Sequence, residues 1–234
     1  MRLDLYLVKE FNLESRSKAL DLIKTNQVMV NGQLSSKQSY DVKPNDQVEI
    51  IKQLEYVSRG GNKLEDAINF YHLEFKDKVL LDVGSSTGGF TDCALKHGAK
   101  KVYAYDVGSD QLHESLRSKK EIELHENTNI LDVLMPVSCD YVSIDVSFTS
   151  VKPILNHLKD IQATFIVLVK PQFEVGKKEV KNGIVKDEKK QTDVVLGMIS
   201  YMNYLGFTYI GHKKSDLLGK KGNQEYLLVM KKGE

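Results

Sequence analysis

The chain has 234 residues, 41% hydrophobic and 28% charged, with Lys+Arg 33 against Asp+Glu 32 and a formal charge of +1. That length holds one large domain or a large one with a small companion, and it buries a full core without disulfide or metal staples. Near-neutral charge excludes nucleic-acid binding by bulk electrostatics, though not by a local basic face, and Cys93 and Cys139 are too few for a disulfide framework or a Cys-based zinc site. The longest apolar stretch, 165–169, is strand-sized and far short of the ~18 residues of a spanning helix. No signal-peptide pattern opens the chain. The expectation is a soluble, cytoplasmic protein.

The first fifty residues read differently from the rest. Leu3, Leu5, Leu7 and Val8 begin a short helical pattern, and Ser15 or Ser17 can cap a second helix with Ala19, Leu20, Leu22 and Ile23 on its inner side. Asn31-Gly32 signals a tight turn between short strands. A second turn is expected over 42–47 and a closing strand over 48–51. Two helices and a small sheet therefore form a first domain over 1–52. Residues 53–61 read as a connector in which Gly60 and Gly61 supply flexibility, and 62–234 as the second domain. Leu64, Ala67, Ile68 and Tyr71 fall at i, i+3, i+4 and i+7 and predict a helix. Beyond it, strands expected over 79–83, 102–105, 122–124, 141–144, 165–169, 209–210 and 226–230 alternate with helices over 90–96, 111–117, 154–158 and 192–204. Such alternation predicts the α/β class, a mostly parallel sheet with helices on both faces. Residues 171–190 read as a long polar loop of the kind that carries function.

The clearest chemical motif is Asp82-Val83-Gly84-Ser85-Ser86-Thr87-Gly88-Gly89-Phe90, a strand running into a glycine-rich turn and a helix. Glycines let the backbone bend sharply and let a ligand approach, while the helix start offers free N–H groups to an anion. The spacing is neither the dinucleotide pattern nor a phosphate loop. Asp106 ends the next strand, where a carboxylate accepts both ribose hydroxyls of a nucleoside cofactor. The two elements together fit S-adenosylmethionine better than a nicotinamide dinucleotide. Four further charges stand at special places: Lys63 in the helix before the first strand, Asp145 and Lys170 at strand ends, and Glu225 at the start of the last strand.

The blocks Ser58-Arg59-Gly60-Gly61-Asn62-Lys63, Asp82 to Thr91, Asp106-Val107-Gly108, Asp145-Val146-Ser147-Phe148 and Val169-Lys170-Pro171-Gln172-Phe173-Glu174 resemble the TlyA family. That family, often labelled haemolysin A, belongs with the FtsJ-like RNA ribose 2′-O-methyltransferases. The resemblance covers nearly the whole chain, and residues 1–52 are similar to the alpha-L RNA-binding domain of the S-four type. It implies a Rossmann-like methyltransferase sheet, S-adenosylmethionine as cofactor and ribosomal RNA as substrate. It also implies a catalytic set at Lys63, Asp145, Lys170 and Glu225, and cofactor contacts at Asp82, Gly84, Ser85, Gly88, Gly89, Phe90, Asp106 and Asn129. Within 125–130 this chain lacks the arginine the family leads one to expect beside Thr128.

A ribose hydroxyl is a poor nucleophile and must lose its proton as it attacks a sulfonium methyl group. Lys170 is the candidate base, because a lysine desolvated or set beside another cation, here Lys63, can give up its proton. Asp145 would direct it and Glu225 would fix Lys63 or the ribose. The other possibility is that Lys170 only steers the hydroxyl and positioning supplies the rate. For RNA contact the expected residues are Arg2, Arg16, Lys18, Lys24, Lys37 and Arg59. Residues 170–190 add 7 basic against 4 acidic side chains and 210–234 add 6 against 3. Cys93 and Cys139 read as core thiols. The six histidines show no ligand spacing, so no metal is expected. Phe148 and Phe173 either line the target-nucleoside pocket or pack in the core. The competing readings are a non-catalytic RNA-binding assembly factor and a membrane-active haemolysin.

Overall fold

The computed structural model describes residues 1–24, 27–35, 37–50, 56–134, 138–176, 179–180, 182–219 and 222–233. They fall into two compact units, Met1–Glu55 and Tyr56–Glu234. Residues 51–55, which include the first three residues of the expected connector, lie outside the described residues.

In the first unit α1 (Leu3–Glu10) and α2 (Arg16–Lys24) precede three short strands, β1 (Val28–Val30), β2 (Gln33–Leu34) and β3 (Val48–Ile50). The strands form an antiparallel sheet in the order β2-β1-β3. Asn31 and Gly32 both take left-handed backbone, φ 52 and 75, as a two-residue hairpin turn requires. Ser15 is the residue that caps α2, its Oγ accepting from Lys18 N at 3.2 Å. Leu3, Leu7, Leu22, Ile23 and Val28 fill the core. Asp4 is fully buried beside them and joins the two helices, accepting from Arg2 Nη2 at 3.0 Å and Arg16 Nε at 2.9 Å.

The second unit holds α3 (Arg59–Tyr71), β4 (Val79–Val83), α4 (Gly89–Lys96), β5 (Lys101–Tyr105), α5 (Glu114–Arg117) and β6 (Ile122–His125). It continues through β7 (Tyr141–Ile144), α6 (Lys152–His157), β8 (Thr164–Val169), α7 (Pro171–Glu174), α8 (Glu188–Tyr204), β9 (Phe207–Lys214) and β10 (Tyr226–Lys232). Seven strands form one sheet in the order β6-β5-β4-β7-β8-β10-β9. The first five are parallel, and β10 runs antiparallel to both β8 and β9. Side chains alternate between two cores. Phe165, Val167 and Val169 of β8 pack on one face with Leu155 of α6 and Val195 and Met198 of α8. Ile166 and Leu168 pack on the other with Leu64 and Ile68 of α3 and Cys93 of α4. Burial on both faces is why β8 is a continuous apolar run from Phe165 to Val169.

Several expectations are corrected. Gly60 and Gly61 are not a flexible joint; they lie in the first turn of α3. A Cβ on Gly61 would stand 2.3 Å from the Tyr56 side chain, and one on Gly89 would stand 2.8 Å from Gly61 N. These glycines let α3 touch the start of α4 backbone to backbone. The helix expected over 111–117 is confined to Glu114–Arg117. The polar stretch 171–190 contains α7, opened by Pro171, and the first turn of α8, capped by Asp187, whose carboxylate accepts from Lys189 N at 2.9 Å. The two-residue strand at 209–210 is part of the eight-residue edge strand β9, whose mostly exposed face hid it from a hydrophobicity reading. Cys93 is a core thiol as expected, but it adjoins a polar clamp between α3 and α4. Glu65 accepts from Asn69 at 3.0 Å and from Tyr56, and lies 2.6 Å from His97 Nε2. Burial raises the Cys93 thiol well above its ordinary range.

The close approach of α3 and α4 can be tested at one position. Gly61→Ala forces a methyl group into the buried Tyr56 ring and is expected to cost about 1–3 kcal/mol, read as a lower urea midpoint with unchanged slope.

Candidate active site

Chain order reverses at β4: the strand that follows it, β5, lies on one side and β7 on the other. In open sheets of this kind ligands bind in the crevice at the carboxyl ends of the strands at that point. Here the crevice is a cavity of about 300 Å³ lined by Gly84, Asp106, Val107, Asn129, Asp145 and Phe148, among others.

The glycine-rich turn forms one wall. Gly84 has φ 83, and a Cβ there would come within 2.8 Å of Asp145 O, so only glycine lets the two strand ends approach. Gly84 N and Ser85 N both donate to Tyr105 O, at 2.8 and 3.1 Å. Gly88, with φ 88, precedes α4, and a Cβ there would strike Leu112 and Leu116. Ser85 Oγ is buried with no hydrogen-bond partner among the described residues. Asp106 accepts from Ser86 N at 2.8 Å and Gly108 N at 2.7 Å, which fixes its carboxylate at the cavity.

Of the expected cofactor residues, Gly84, Asp106 and Asn129 line the cavity; Asp82, Ser85, Gly88, Gly89 and Phe90 do not. Phe90 is a core side chain. Asp82 is fully buried inside the sheet and accepts from Thr91 Oγ1 at 2.7 Å and Ser143 Oγ at 2.8 Å, holding β4, α4 and β7 together. Burial pushes its carboxyl up to about 6. Sequence reasoning missed Ser86, Gln111, Thr128 and Ser147, which also line the cavity. The signal for Thr128 was its place just after a strand end; Gln111 stands at the site with its amide oxygen accepting from Ser86 Oγ at 3.1 Å and its backbone N–H donating to Glu126 at 3.0 Å.

The four expected charges meet as two ion pairs. Lys63 Nζ of α3 lies 2.5 Å from Glu225 Oε2, and Lys170 Nζ lies 2.6 Å from Asp145 Oδ1. Lys170 Nζ also donates to Ser147 Oγ at 3.0 Å. Asp145 and Lys170 follow the adjacent parallel strands β7 and β8. Glu225 precedes antiparallel β10, whose register sets Tyr226 opposite Val169, so it arrives at the same end of the sheet. Lys170 and Glu225 are buried, and Asp145 retains 20% side-chain exposure on the cavity side. Beside them Phe148 is 89% exposed with φ 67, an uncommon backbone for a bulky residue, and its ring stands 5.4 Å from that of Phe173.

The basic residues divide. Arg2 and Arg16 are engaged by Asp4, Lys18 is half-buried, and Lys24 and Lys37 are exposed. Arg59 is half-buried with Nη1 3.5 Å from Leu218 O. Lys177, Lys178, Lys181, Lys220 and Lys221 lie outside the described residues. No helix among the described residues is long and apolar enough to cross a membrane.

Residues 56–232 match the model of the FtsJ-like methyltransferases, and residues 1–48 match the S4 domain. The chain is 40% identical over 235 residues to Hemolysin A of Brachyspira hyodysenteriae, covering 97% of this chain and 98% of the relative. It is 37% identical over 249 residues to the 23S rRNA (cytidine-2'-O)-methyltransferase TlyA of Campylobacter jejuni, covering 97% of each. A solved structure from Streptococcus thermophilus that bears the hemolysin name superposes with a TM-score of 0.78 at 34% identity, covering 100% of this chain and 89% of that one.

The buried Asp82 carboxyl makes a pH prediction. Its folded value, about 6, lies above the ordinary 3.8. The folded state therefore holds this proton more tightly than the unfolded state, and the stability it contributes is complete below pH ~4 and lost as pH rises through ~6. Asp82→Asn is expected to gain in melting temperature relative to the parent between pH 4 and 7. A difference that stays flat across that range would sink the assignment.

Proposed function

We propose, on the premise that this chain belongs to the FtsJ-like methyltransferase family, that it is an S-adenosylmethionine-dependent enzyme that methylates a ribose 2′-hydroxyl of ribosomal RNA, at a cytidine. The observation that carries the reading is the paired set Lys170–Asp145 and Lys63–Glu225 at the strand ends beside a glycine-walled cavity. Four charges largely removed from water at one end of the sheet, with Asp145 in the cavity wall, are costly unless paired, and such expense is usual at catalytic sites.

The residues fit the cofactor. A bare backbone at Gly84, the fixed Asp106 carboxylate and an apolar Val107 with 72% exposure match the polar and flat parts of a nucleoside-bearing amino acid. When bound, S-adenosylmethionine supplies an electrophilic methyl group on a sulfonium sulfur. Asp106 would take its ribose hydroxyls, and Asn129 with Val107 would flank the base. Asp82 acts at one remove, by fixing the turn.

Lys170 and Asp145 act as one unit. The Lys170 nitrogen, held by Asp145 and Ser147, sets the direction from which the 2′-oxygen approaches. As the methyl group passes from sulfur to the 2′-oxygen, the oxygen's proton would pass to this pair, and the partly exposed Asp145 would give it a path to solvent. Lys63, fixed by Glu225, adds positive charge where the RNA backbone must come close. Phe148, exposed beside the pair, offers a flat face to an unstacked base. In the S4 unit the exposed Lys24 and Lys37 would meet phosphate.

Two measurements test the reading. In calorimetric titration the parent should bind S-adenosylmethionine saturably, and Asp106→Ala should weaken binding roughly 10- to 100-fold through loss of charged hydrogen bonds. With ribosomal subunits and tritium-labelled methyl donor, Lys170→Ala should lower kcat about 10²- to 10⁴-fold while leaving cofactor affinity near the parent value. A chain that binds subunits but neither cofactor nor methyl label is a binding factor, not an enzyme.

A further inference from the structure

We propose that Glu174 is a positioning residue for this reaction, acting by clamping the segment 145–151 against the segment that follows β8. The proposal rests on the reading of Lys170 and Asp145 given above. Glu174 closes α7 and reaches back across 23 residues of sequence: its Oε1 accepts from Val151 N at 2.9 Å and its Oε2 from Ser150 Oγ at 2.7 Å. Val151 is the cap residue of α6, and a valine has no side-chain acceptor for the free N–H groups there. Glu174 supplies that acceptor from another element, and Ser150 Oγ extends the cap by accepting from Lys152 N at 3.2 Å.

The same two segments meet twice more. At the opposite end of the 145–151 segment Lys170 Nζ holds Asp145 and Ser147, and between the ends the Phe173 ring packs on Phe148. Between these ties residues 145–150 have neither helix nor strand to hold them. Phe148 nevertheless keeps a left-handed φ and an exposed ring. A bulky residue stays in that conformation only where its surroundings over-determine it. The Lys170 contacts fix one end of the segment and Glu174 fixes the other. Without Glu174 the far end is free, Phe148 can relax to ordinary backbone, and the approach of Asp145 and Ser147 to Lys170 loses its support. Val146, Ser147 and Phe148 are wall residues of the cavity, so the loss falls where substrate must enter. Glu174 works through geometry, since both of its bonds are to neutral donors.

The test compares Glu174→Ala with Glu174→Gln in the full chain. Glutamine keeps an oxygen for Val151 N, and the Ser150 hydroxyl can turn to accept from its amide. The expected result is a 10- to 100-fold fall in kcat on ribosomal subunits for Glu174→Ala, with S-adenosylmethionine affinity within about threefold of the parent, and rescue to within about threefold by glutamine. Hydrogen exchange read by mass spectrometry should quicken over 146–151 in the alanine variant and not in the glutamine variant. The proposal is overturned by an alanine variant that keeps parent-like kcat, or by a glutamine variant as inactive as alanine, which would make the charge and not the clamp responsible. A parent chain that transfers no methyl group overturns the functional reading instead, and the exchange pattern then decides whether Glu174 clamps the segment.

Discussion

One buried carboxylate organises the second unit. Asp82 lies inside the sheet on β4, and its two oxygens take one hydroxyl from the start of α4 and one from β7. Those three elements set the position of two of the crevice's walls, the glycine turn and the segment that follows β7. The strand delivers the glycine turn, the helix fixes where the turn ends, and β7 delivers Asp145. A residue with no surface in the cavity therefore sets the cavity's shape, and its cost is visible in a carboxyl raised by burial. An apolar residue there would remove the cost and also the two hydroxyl bonds that register the elements on one another.

The charged set shows the same economy in another form. Lys63 comes from α3, Asp145 and Lys170 from parallel strand ends, and Glu225 from the start of an antiparallel strand. Each cation has a carboxylate within 2.6 Å. Pairing makes burial tolerable, but it does not make it favourable, since apolar residues of similar volume commonly serve stability as well or better. The arrangement is therefore not accounted for by stability alone. The glycines around it have a matching role. Gly84 lets β4 and β7 ends come together, and Gly61 and Gly89 let α3 lie close enough for Lys63 to reach Glu225.

Much of this was legible in the chain. Strands buried on both faces write themselves as apolar runs, so β8 was plain, and a charge that ends such a run, as Lys170 does, declares which end of the sheet it serves. The glycine turn was plain for a similar reason, because its spacing has no use in a helix or strand interior. What failed were inferences about contact. Gly60 and Gly61 signal flexibility only until one knows that Tyr56 and Gly89 press on them. Asp82 sits inside a motif associated with cofactors, and only strand alternation shows that its side chain turns into the sheet. The edge strand β9 exposes Tyr209 and Ile210 and buries little, so its length could not be heard in its hydrophobicity. The partnership of Glu65 with His97, and of Glu174 with Ser150, spans 32 and 24 residues of sequence and leaves no local trace.

The placement of β10 has a consequence for how the molecule comes into being. It is the last strand in chain order, yet it lies between β8 and β9, and its first neighbour in sequence is Glu225. During synthesis every other member of the charged set emerges earlier, while the apolar edge of β8 waits uncovered for its partner. Lys63 cannot find its carboxylate until that strand has left the ribosome and slotted home. The strand that covers the open edge of β8 is thus the same one that brings Lys63 its carboxylate.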